Sequence, residues 1–350
     1  MNHNIPTQRC GAVGILALQR GEDVKPTLTV VGTMTTDPDP ETATMDSPDD
    51  AFAVLGNETR LQILQVLAEA DEPLAYSDLF ERIDYDDSAN FTYHLEKLVG
   101  HFVRKTDDGY VPRLAGRRVV EAIFSGIVTD TPLVERTEAD MACMYCGSSA
   151  EMAYYDEVAV VYCRECKGRI GELGLAEEWP IPNDDIVGYV NIPPAGVYDR
   201  TPTEIMEAAG IWTIADVQTI VRGVCPRCSA TINRSARVCE RHDAADGFCE
   251  HCNHEFGVSI AVSCTNCTFT TRSPYPTHAL GNVELLSFMT GHGIDPFASN
   301  AFHLRACTEE ILSADPLRAR YTFTADGDAL TLTVDDDLTV VEASTEQTPT

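Results

Sequence analysis

Twelve cysteine and histidine side chains in the second half of the chain have the types and the spacing of metal ligands. They form three sets, each of two Cys-x2-Cys or Cys-x2-His pairs. Within the first, second and third sets, the two pairs are separated by 16, 10 and 11 residues. One pair places two donors on one side of a tetrahedron, and a hairpin of this length returns the second pair to the other side. In chain order the sets are Cys143, Cys146, Cys163 and Cys166; Cys225, Cys228, Cys239 and His242; and Cys249, Cys252, Cys264 and Cys267.

These donors predict Zn²⁺, because thiolate and imidazole suit this ion and four protein ligands leave no open position for chemistry. We therefore expect up to three structural zinc ions, with folding coupled to metal binding. Iron–sulfur clusters are an alternative for all-cysteine sets, and redox-active dithiols are another. The pairing also has an alternative, in which Cys225 and Cys228 share a metal with the third set.

The composition of the 350 residues is strongly acidic. Acidic residues number 55 against 25 basic ones, the net charge is −30, and only four residues are lysine. This balance resembles that of cytosolic proteins from salt-adapted halophiles, and the alternative is an acidic protein from an ordinary cell. No apolar run reaches the length of about 18 residues that spans a membrane. We expect a cytoplasmic protein with no membrane segment, whose reduced thiols favour metal over disulfides.

Helical periodicity followed by a hairpin predicts the structure upstream of the metal ligands. Asn57 caps a helix that carries Leu61, Leu64 and Leu67, a short helix covers 74–83, and a third covers 86–99. An Asp-Gly turn within 102–111 indicates a β-hairpin, and a further helix covers 114–127. This order is that of a winged helix-turn-helix.

The third helix and the hairpin carry side chains that could contact double-stranded DNA. One face of the helix is apolar, and the side chains expected to project from the opposite face or its flank can reach base edges or phosphates. Five basic residues follow within 15 positions, as phosphate contact requires. A solvated polar face and local salt bridges are the alternatives. The candidate contacts are Asn90, Tyr93, His94, Lys97, Arg104, Lys105, Arg113, Arg117 and Arg118.

We therefore expect an α+β multidomain fold, in which the winged helix-turn-helix precedes small zinc-ribbon β-hairpin modules and a C-terminal α+β segment. Helices are predicted near 282–291 and 300–313, followed by strands at 320–325 and 329–334 and a further strand near 338–341. The expected divisions are a disordered or misannotated extension, 1–49; the DNA-binding domain, 50–127; zinc ribbon 1, 138–175; a connector with helices, 176–222; tandem zinc ribbons 2 and 3, 223–272; C-terminal helices and β-hairpin, 276–343; and a disordered tail, 344–350.

The run from Val54 to Leu64 resembles the opening of ArsR-type winged-helix regulators, and Ser88, His94, Leu95 and Leu98 match their recognition helix. Residues 50 to about 342 resemble haloarchaeal winged-helix transcriptional regulators with zinc-ribbon C-terminal regions, on the segments 193–196, 200–204 and 223–228. The resemblance implies sequence-specific DNA binding and a homodimer. The third helix has no Cys-x-Cys pair, so metal sensing is not implied.

Two other functions remain open. The chain also resembles archaeal transcription factor E, which joins a winged helix to a zinc ribbon and would contact the transcription machinery. Alternatively, the protein is a zinc-stabilised protein–protein adaptor. We expect no enzyme, because the sequence has no Gly-rich phosphate loop, nucleophile elbow or zincin signature.

Overall fold

The computed structural model describes residues 47–143, 145–165, 185–244, 249–252, 254–296 and 306–347. The chain is a mixed α+β protein whose strands form separate, small antiparallel sheets. The N-terminal unit holds five helices and one hairpin. They are α1 Pro48–Leu55, α2 Glu58–Glu69, α3 Tyr76–Ile83, α4 Ser88–Leu98, β1 Val103–Thr106, β2 Gly109–Pro112 and α5 Leu114–Phe124.

The N-terminal unit has a hydrophobic core of its own, built from α2 to α5 and the hairpin. Leu64 and Leu67 of α2 and Phe91 and Leu98 of α4 are buried in it, as expected, whereas Leu61 is only partly buried and Ile63 joins the core instead. The Asn57 side chain caps α2 by accepting a hydrogen bond from an amide in its first turn. Ser47 caps α1, so the expected extension ends earlier than position 49. The predicted helices and hairpin are therefore confirmed as elements.

The second sheet contains four strands in sequential antiparallel order. Asp156 and Glu157 have positive φ angles, which turns the chain tightly between the second and third of them, as the hairpin prediction required. The last strand lies in the predicted connector, so part of the connector completes this sheet. The strands are β3 Val134–Ala142, β4 Ser149–Tyr155, β5 Val158–Tyr162 and β6 Ile186–Asn191.

A helix of 19 residues, α6 Pro202–Ile220, joins two hydrophobic cores. It begins with a capping box, in which Thr201 and Glu204 satisfy each other's backbone amides. Its first half buries Ile205 and Met206 against the β3–β6 sheet. Its second half buries Ile214 and Val217 in the core of the C-terminal half.

The C-terminal half combines a three-stranded sheet, two short helices and a four-stranded sheet around one core. Strand β8 lies between β7 and β9, and the last four strands pair in sequential order. The elements are β7 Ile232–Val238, β8 Val258–Cys264, β9 Thr270–Pro274, α7 Tyr275–Ala279, α8 Val283–Gly291, β10 Cys307–Ala314, β11 Leu317–Ala325, β12 Asp328–Val334 and β13 Val340–Glu346.

Two expectations for this half were wrong. A helix was predicted near 300–313, but residues 307–313 form strand β10. Their burial alternates from residue to residue, and they pair with β11, as a strand requires. The expected hairpin is the centre of a four-stranded sheet, and β13 continues to Glu346, into the segment expected to be a tail. The helix expected near 282–291 is confirmed as α8. Residues 1–46 and 348–350 of the expected extension and tail lie outside the described residues.

The loop after α5 of the N-terminal unit contacts the segment that follows β6. The Ala195 amide donates to the Ser125 carbonyl, and the Tyr198 hydroxyl donates to Asp130. None of the helices that the structure describes combines the length and apolar character needed to cross a bilayer.

Candidate metal centres and nucleic-acid interface

The described cysteine and histidine ligands gather into three clusters, and in each cluster all ligand atoms lie within 4.8 Å of one another. The first cluster agrees with the predicted first set, although Cys166 lies outside the described residues. The sequential pairing of the other two sets was wrong, and the interleaved alternative is the one formed. The clusters are Cys143, Cys146 and Cys163; Cys225, Cys228, Cys264 and Cys267; and Cys239, His242, Cys249 and Cys252.

The β7–β8 hairpin explains why the pairing is interleaved. Antiparallel register places Ile232 opposite Cys264 at one end and Val238 opposite Val258 at the other. Ligands just before β7 therefore meet ligands at the end of β8, and we call this cluster the outer centre. Ligands just after β7 meet those in the loop that leads into β8, and we call this cluster the inner centre.

The outer centre brings two Cys-x2-Cys turns together. The Sγ atoms of Cys225 and Cys267 are 3.7 Å apart, and those of Cys228 and Cys264 are 3.5 Å apart. Four sulfurs arranged tetrahedrally about an ion at 2.3 Å would be separated by about 3.8 Å. The observed separations therefore fit a tetrahedral metal ion.

The inner centre contains one imidazole, whose orientation is fixed by a hydrogen bond at the ring nitrogen that faces away from the cysteines. His242 Nδ1 lies 3.4 Å from the Cys252 Sγ, and its Nε2 lies 3.0 Å from the Glu255 carbonyl oxygen. A proton on Nε2 donated to this carbonyl leaves the Nδ1 lone pair free for a metal. Gly257 permits this packing, because a Cβ there would lie 2.7 Å from His242 Cγ.

The first cluster joins the turn after β3 to the end of β5. The Sγ atoms of Cys146 and Cys163 lie 3.3 Å apart, and Cys143 and Cys163 are buried. The cluster therefore lies at one end of the β3–β6 sheet, where three thiols converge.

The first cysteine of each of four Cys-x2-Cys pairs sits in the same kind of turn. Its amide donates to the carbonyl five residues later, and its sulfur accepts from the amide two residues later at 3.3–3.4 Å. Such bonds favour the thiolate, which is the form that binds metals. The four residues are Cys143, Cys225, Cys249 and Cys264.

Thiol pKa values in the two C-terminal centres are split by this arrangement. Amide hydrogen bonds from Cys267 and Asn266 lower the pKa of Cys264 to about 6. An amide hydrogen bond from Asp243 similarly lowers the pKa of Cys249 to about 6. Burial and the neighbouring thiols raise the pKa of Cys252 to about 12. Deprotonating a complete set therefore builds up mutual repulsion, which a bound cation would relieve.

Glu309 supports the inner centre, and no local pattern in the sequence indicates this role. Its carboxylate accepts hydrogen bonds from the amides of Gly257 and Val258 at 2.5 and 3.3 Å and from the Tyr321 hydroxyl at 2.8 Å. Burial raises its pKa. Strand β10 is thereby tied to the start of β8, directly behind His242.

Helix α4 presents a polar face to solvent opposite its buried face. Asn90, Tyr93 and Lys97 are exposed, as predicted. The Lys97 ammonium lies 5.5 Å from the centre of the Tyr93 ring, and Asn90 Nδ2 donates to the Tyr85 hydroxyl at 2.8 Å. The three predicted side chains therefore share one accessible surface.

His94 does not belong to this surface, so its predicted place on an exposed flank of α4 was wrong. It is only 8 % exposed and packs edge-on against the rings of Tyr85 and Tyr93. Burial and the charge of Arg60 lower its pKa. Its position three residues after Phe91 places it on the buried side of the helix, so it positions its aromatic neighbours.

The five basic candidates after α4 are all exposed but differ in their partners. Arg118 pairs with Glu121 at 2.8 Å, and Arg113 donates to the Gly100 carbonyl. Within the described residues, Arg104, Lys105 and Arg117 form no ion pair with a carboxylate. These three are therefore the most available for phosphate.

Two family models match the chain, and both are described as domains of unknown function. The model DUF7347 matches residues 48–123, which coincide with the N-terminal unit. The model DUF7351 matches residues 140–340, which hold all three metal clusters and most of the sheets. No curated protein and no solved structure matches the chain. The match to DUF7351 covers more than half of the chain's residues. The chain therefore belongs to the family described as domain of unknown function DUF7351.

Proposed function

We propose that this protein is a transcriptional regulator that binds double-stranded DNA through its N-terminal unit, while structural zinc ions stabilise the remainder. The observation that carries the proposal is the solvent-facing polar surface of α4, formed by Asn90, Tyr93 and Lys97, beside the exposed basic side chains of strand β1. The order of the three helices α2, α3 and α4, followed by the β1–β2 hairpin, agrees with that of a winged helix-turn-helix, as in the ArsR-type regulators that the sequence resembles. The proposal includes no catalytic step.

The chemistry of α4 supports entry into a major groove. An asparagine amide can pair with adenine, and a lysine can reach guanine or a phosphate. The Tyr85 hydroxyl restrains Asn90, and the Tyr93 ring restrains Lys97, so less side-chain freedom is lost on binding. Leu95 and Phe91 anchor the opposite face in the core, which keeps this surface outward.

The hairpin supplies the sequence-independent part of the proposed contact. Arg104 and Lys105 lie on β1, and Arg117 follows in α5, all exposed and without a carboxylate partner in the described part of the chain. The chain carries a net charge of −30, which would repel DNA at low salt. At about 1 M salt the Debye length falls to about 3 Å, so distant carboxylates are screened while direct contacts persist. We therefore propose binding that survives molar salt.

Zinc is the ion that fits these donor sets best. The outer centre offers four thiolates, and the inner centre offers three thiolates and one imidazole. Both are soft, tetrahedral and complete without water, which is typical of structural rather than catalytic zinc. With Cys166 as fourth ligand of the first cluster, the proposed content is three zinc ions per chain.

A homodimer accompanies this proposal. Phe52 in α1 is 72 % exposed, and Leu114 in α5 is 69 % exposed. Uncovered apolar side chains of this size on terminal helices of a DNA-binding unit support a contact with a second copy. The metal-bearing half is proposed to contact the transcription machinery.

Genome-wide footprinting of the tagged protein tests the proposal against the two other functions. Discrete operators support the regulator, occupancy of all promoters supports a general factor like archaeal factor E, and an absence of footprints supports a protein–protein adaptor.

Matched variants then locate the contact. Lys97→Ala and Arg104→Ala should each weaken binding by about 1–3 kcal/mol or lower the salt dependence by about one charge. Arg318→Ala is the control, because Arg318 is also exposed but lies on β11. Equal affinity of all three variants for a footprinted duplex would reject α4 and β1 as the DNA contact.

A further inference from the structure

A cavity of about 640 Å³ opens in the C-terminal half, away from the metal clusters. It lies between the end of α6, the helices α7 and α8, and the start of strand β13. Its volume is within the range of about 300–1,000 Å³ that is typical of small-molecule sites. The residues from Leu338 to Ala343 form one wall, and Tyr275 and Val283 contribute apolar surface to another.

Two arginines line this cavity, in a chain whose surface is otherwise strongly acidic. Neither Arg222 nor Arg234 forms an ion pair with a carboxylate of the described residues. Glu284 and Glu342 also line the cavity, so its positive charge is partly balanced. A singly charged anion meets less repulsion there than a doubly charged phosphate would.

A buried imidazole in the same wall has an unused polar atom. His278 is 7 % exposed, its Nε2 lies 3.0 Å from the Ser273 hydroxyl, and its Nδ1 has no hydrogen-bond partner among the described residues. Burial and the charge of Arg234 lower its pKa to about 4, so the ring is neutral at ordinary pH. Buried polar atoms usually have a partner, so this nitrogen keeps an unused hydrogen-bonding capacity in the cavity wall.

The start of α8 adds a favourable field for an anion. Asn282 caps this nine-residue helix by accepting from the Leu285 amide, and both Asn282 and Val283 line the cavity. The positive end of the helix dipole therefore faces the same space as the two guanidinium groups. Leu338, Val340 and Val341 supply the apolar surface opposite.

We propose that this cavity binds a small organic monocarboxylate with an apolar body, whose carboxylate lies against Arg222 and Arg234 beside His278 and whose apolar part lies against β13. The two guanidinium groups supply charged donors, and the valines and leucine of the opposite wall exclude water from the ligand's body. The assignment does not rest on the proposed DNA binding, because the cavity adjoins a different hydrophobic core from that of α4.

Calorimetric titration of the full-length, metal-loaded protein tests the proposal with matched probe pairs. The probes are isocaproate, octanoate and phenylacetate, each compared with its own amide, and inorganic phosphate alone. We expect at least one carboxylate to bind at one site per chain with a dissociation constant of about 1 mM or tighter, and its amide to bind at least about tenfold more weakly.

Two exposed arginines of one strand provide the variant and its control. Arg234→Gln should weaken carboxylate binding by at least about tenfold, whereas Arg237→Gln on the same strand, outside the cavity, should leave it unchanged. Thermal unfolding of both ligand-free variants verifies that each is folded. The proposal is overturned if no carboxylate binds, if amides bind equally well, if phosphate alone binds, or if both variants behave alike.

Discussion

Pairs of ligand substitutions should reveal which cysteines share an ion. In the structure, Cys228 and Cys264 belong to the outer centre and Cys239 belongs to the inner centre. The double substitution Cys228→Ser/Cys264→Ser should therefore remove one metal ion, because both changes damage one centre. The double substitution Cys228→Ser/Cys239→Ser should remove two. The sequential pairing expected from spacing alone predicts the opposite result for both doubles.

Loop lengths give the two centres different effects on stability. The outer centre joins Cys228 to Cys264 across 36 positions, whereas the inner centre joins His242 to Cys252 across 10. Loop-closure entropy scales as three-halves of RT times the logarithm of length, so losing the outer closure costs about 1 kcal/mol more. The single variant Cys228→Ser should therefore unfold about 2–4 °C below Cys239→Ser.

The assay is metal content per chain, measured by mass spectrometry after gel filtration, followed by thermal unfolding of the same samples. Single substitutions at each position calibrate the loss of one ion. If the outer-centre double loses two ions while the mixed double loses one, the interleaved pairing and the register argument behind it are refuted.

Three further results are expected. Gly116→Ala should destabilise the N-terminal unit by about 1–3 kcal/mol, because the new Cβ would lie 2.4 Å from the Phe102 carbonyl oxygen; urea unfolding beside an Ala115→Ser control measures this, and equal stability would contradict it. The Phe288 carbonyl and the carboxylate of Asp328 raise the pKa of His292, so its stabilising contribution is present below about pH 6.5 and is lost as pH rises through the raised value. His292→Gln should therefore lower the melting temperature at about pH 5.5 and leave it unchanged at about pH 8, and the same loss at both would argue against the ion pair. A strong chelator should abolish hydrogen-exchange protection from β3 onward and spare α2 to α5, which have their own core; loss in both would contradict that independence.

Local patterns predicted the elements whose stabilisation is local. Asn57 and Thr201 precede helices that they cap, and the apolar spacing of Phe91, Leu95 and Leu98 matched the buried face of α4. In each case the residues that determine the structure lie within a few positions of one another.

Long-range geometry accounts for what the sequence missed. Every Cys-x2-Cys pair has the same local spacing, so only the register of β7 against β8 decides which pairs meet. Residues 307–314 alternate between more buried and more exposed positions, so the helix prediction for β10 misread a strand period as a helical one. His94 is polar and was placed on the flank of α4, but the rings of Tyr85 and Tyr93 enclose it.

Helix α6 has a consequence for how this chain can be divided. Residues 205–209 of the helix belong to the hydrophobic core of the β3–β6 sheet, and residues 214–220 belong to the core of the C-terminal half. A fragment that stops anywhere within α6 would leave an uncovered apolar surface on both products, so neither piece should be a good expression target. The family model that matches residues 140–340 spans both hydrophobic cores. This agrees with a single folding unit that includes the whole of α6.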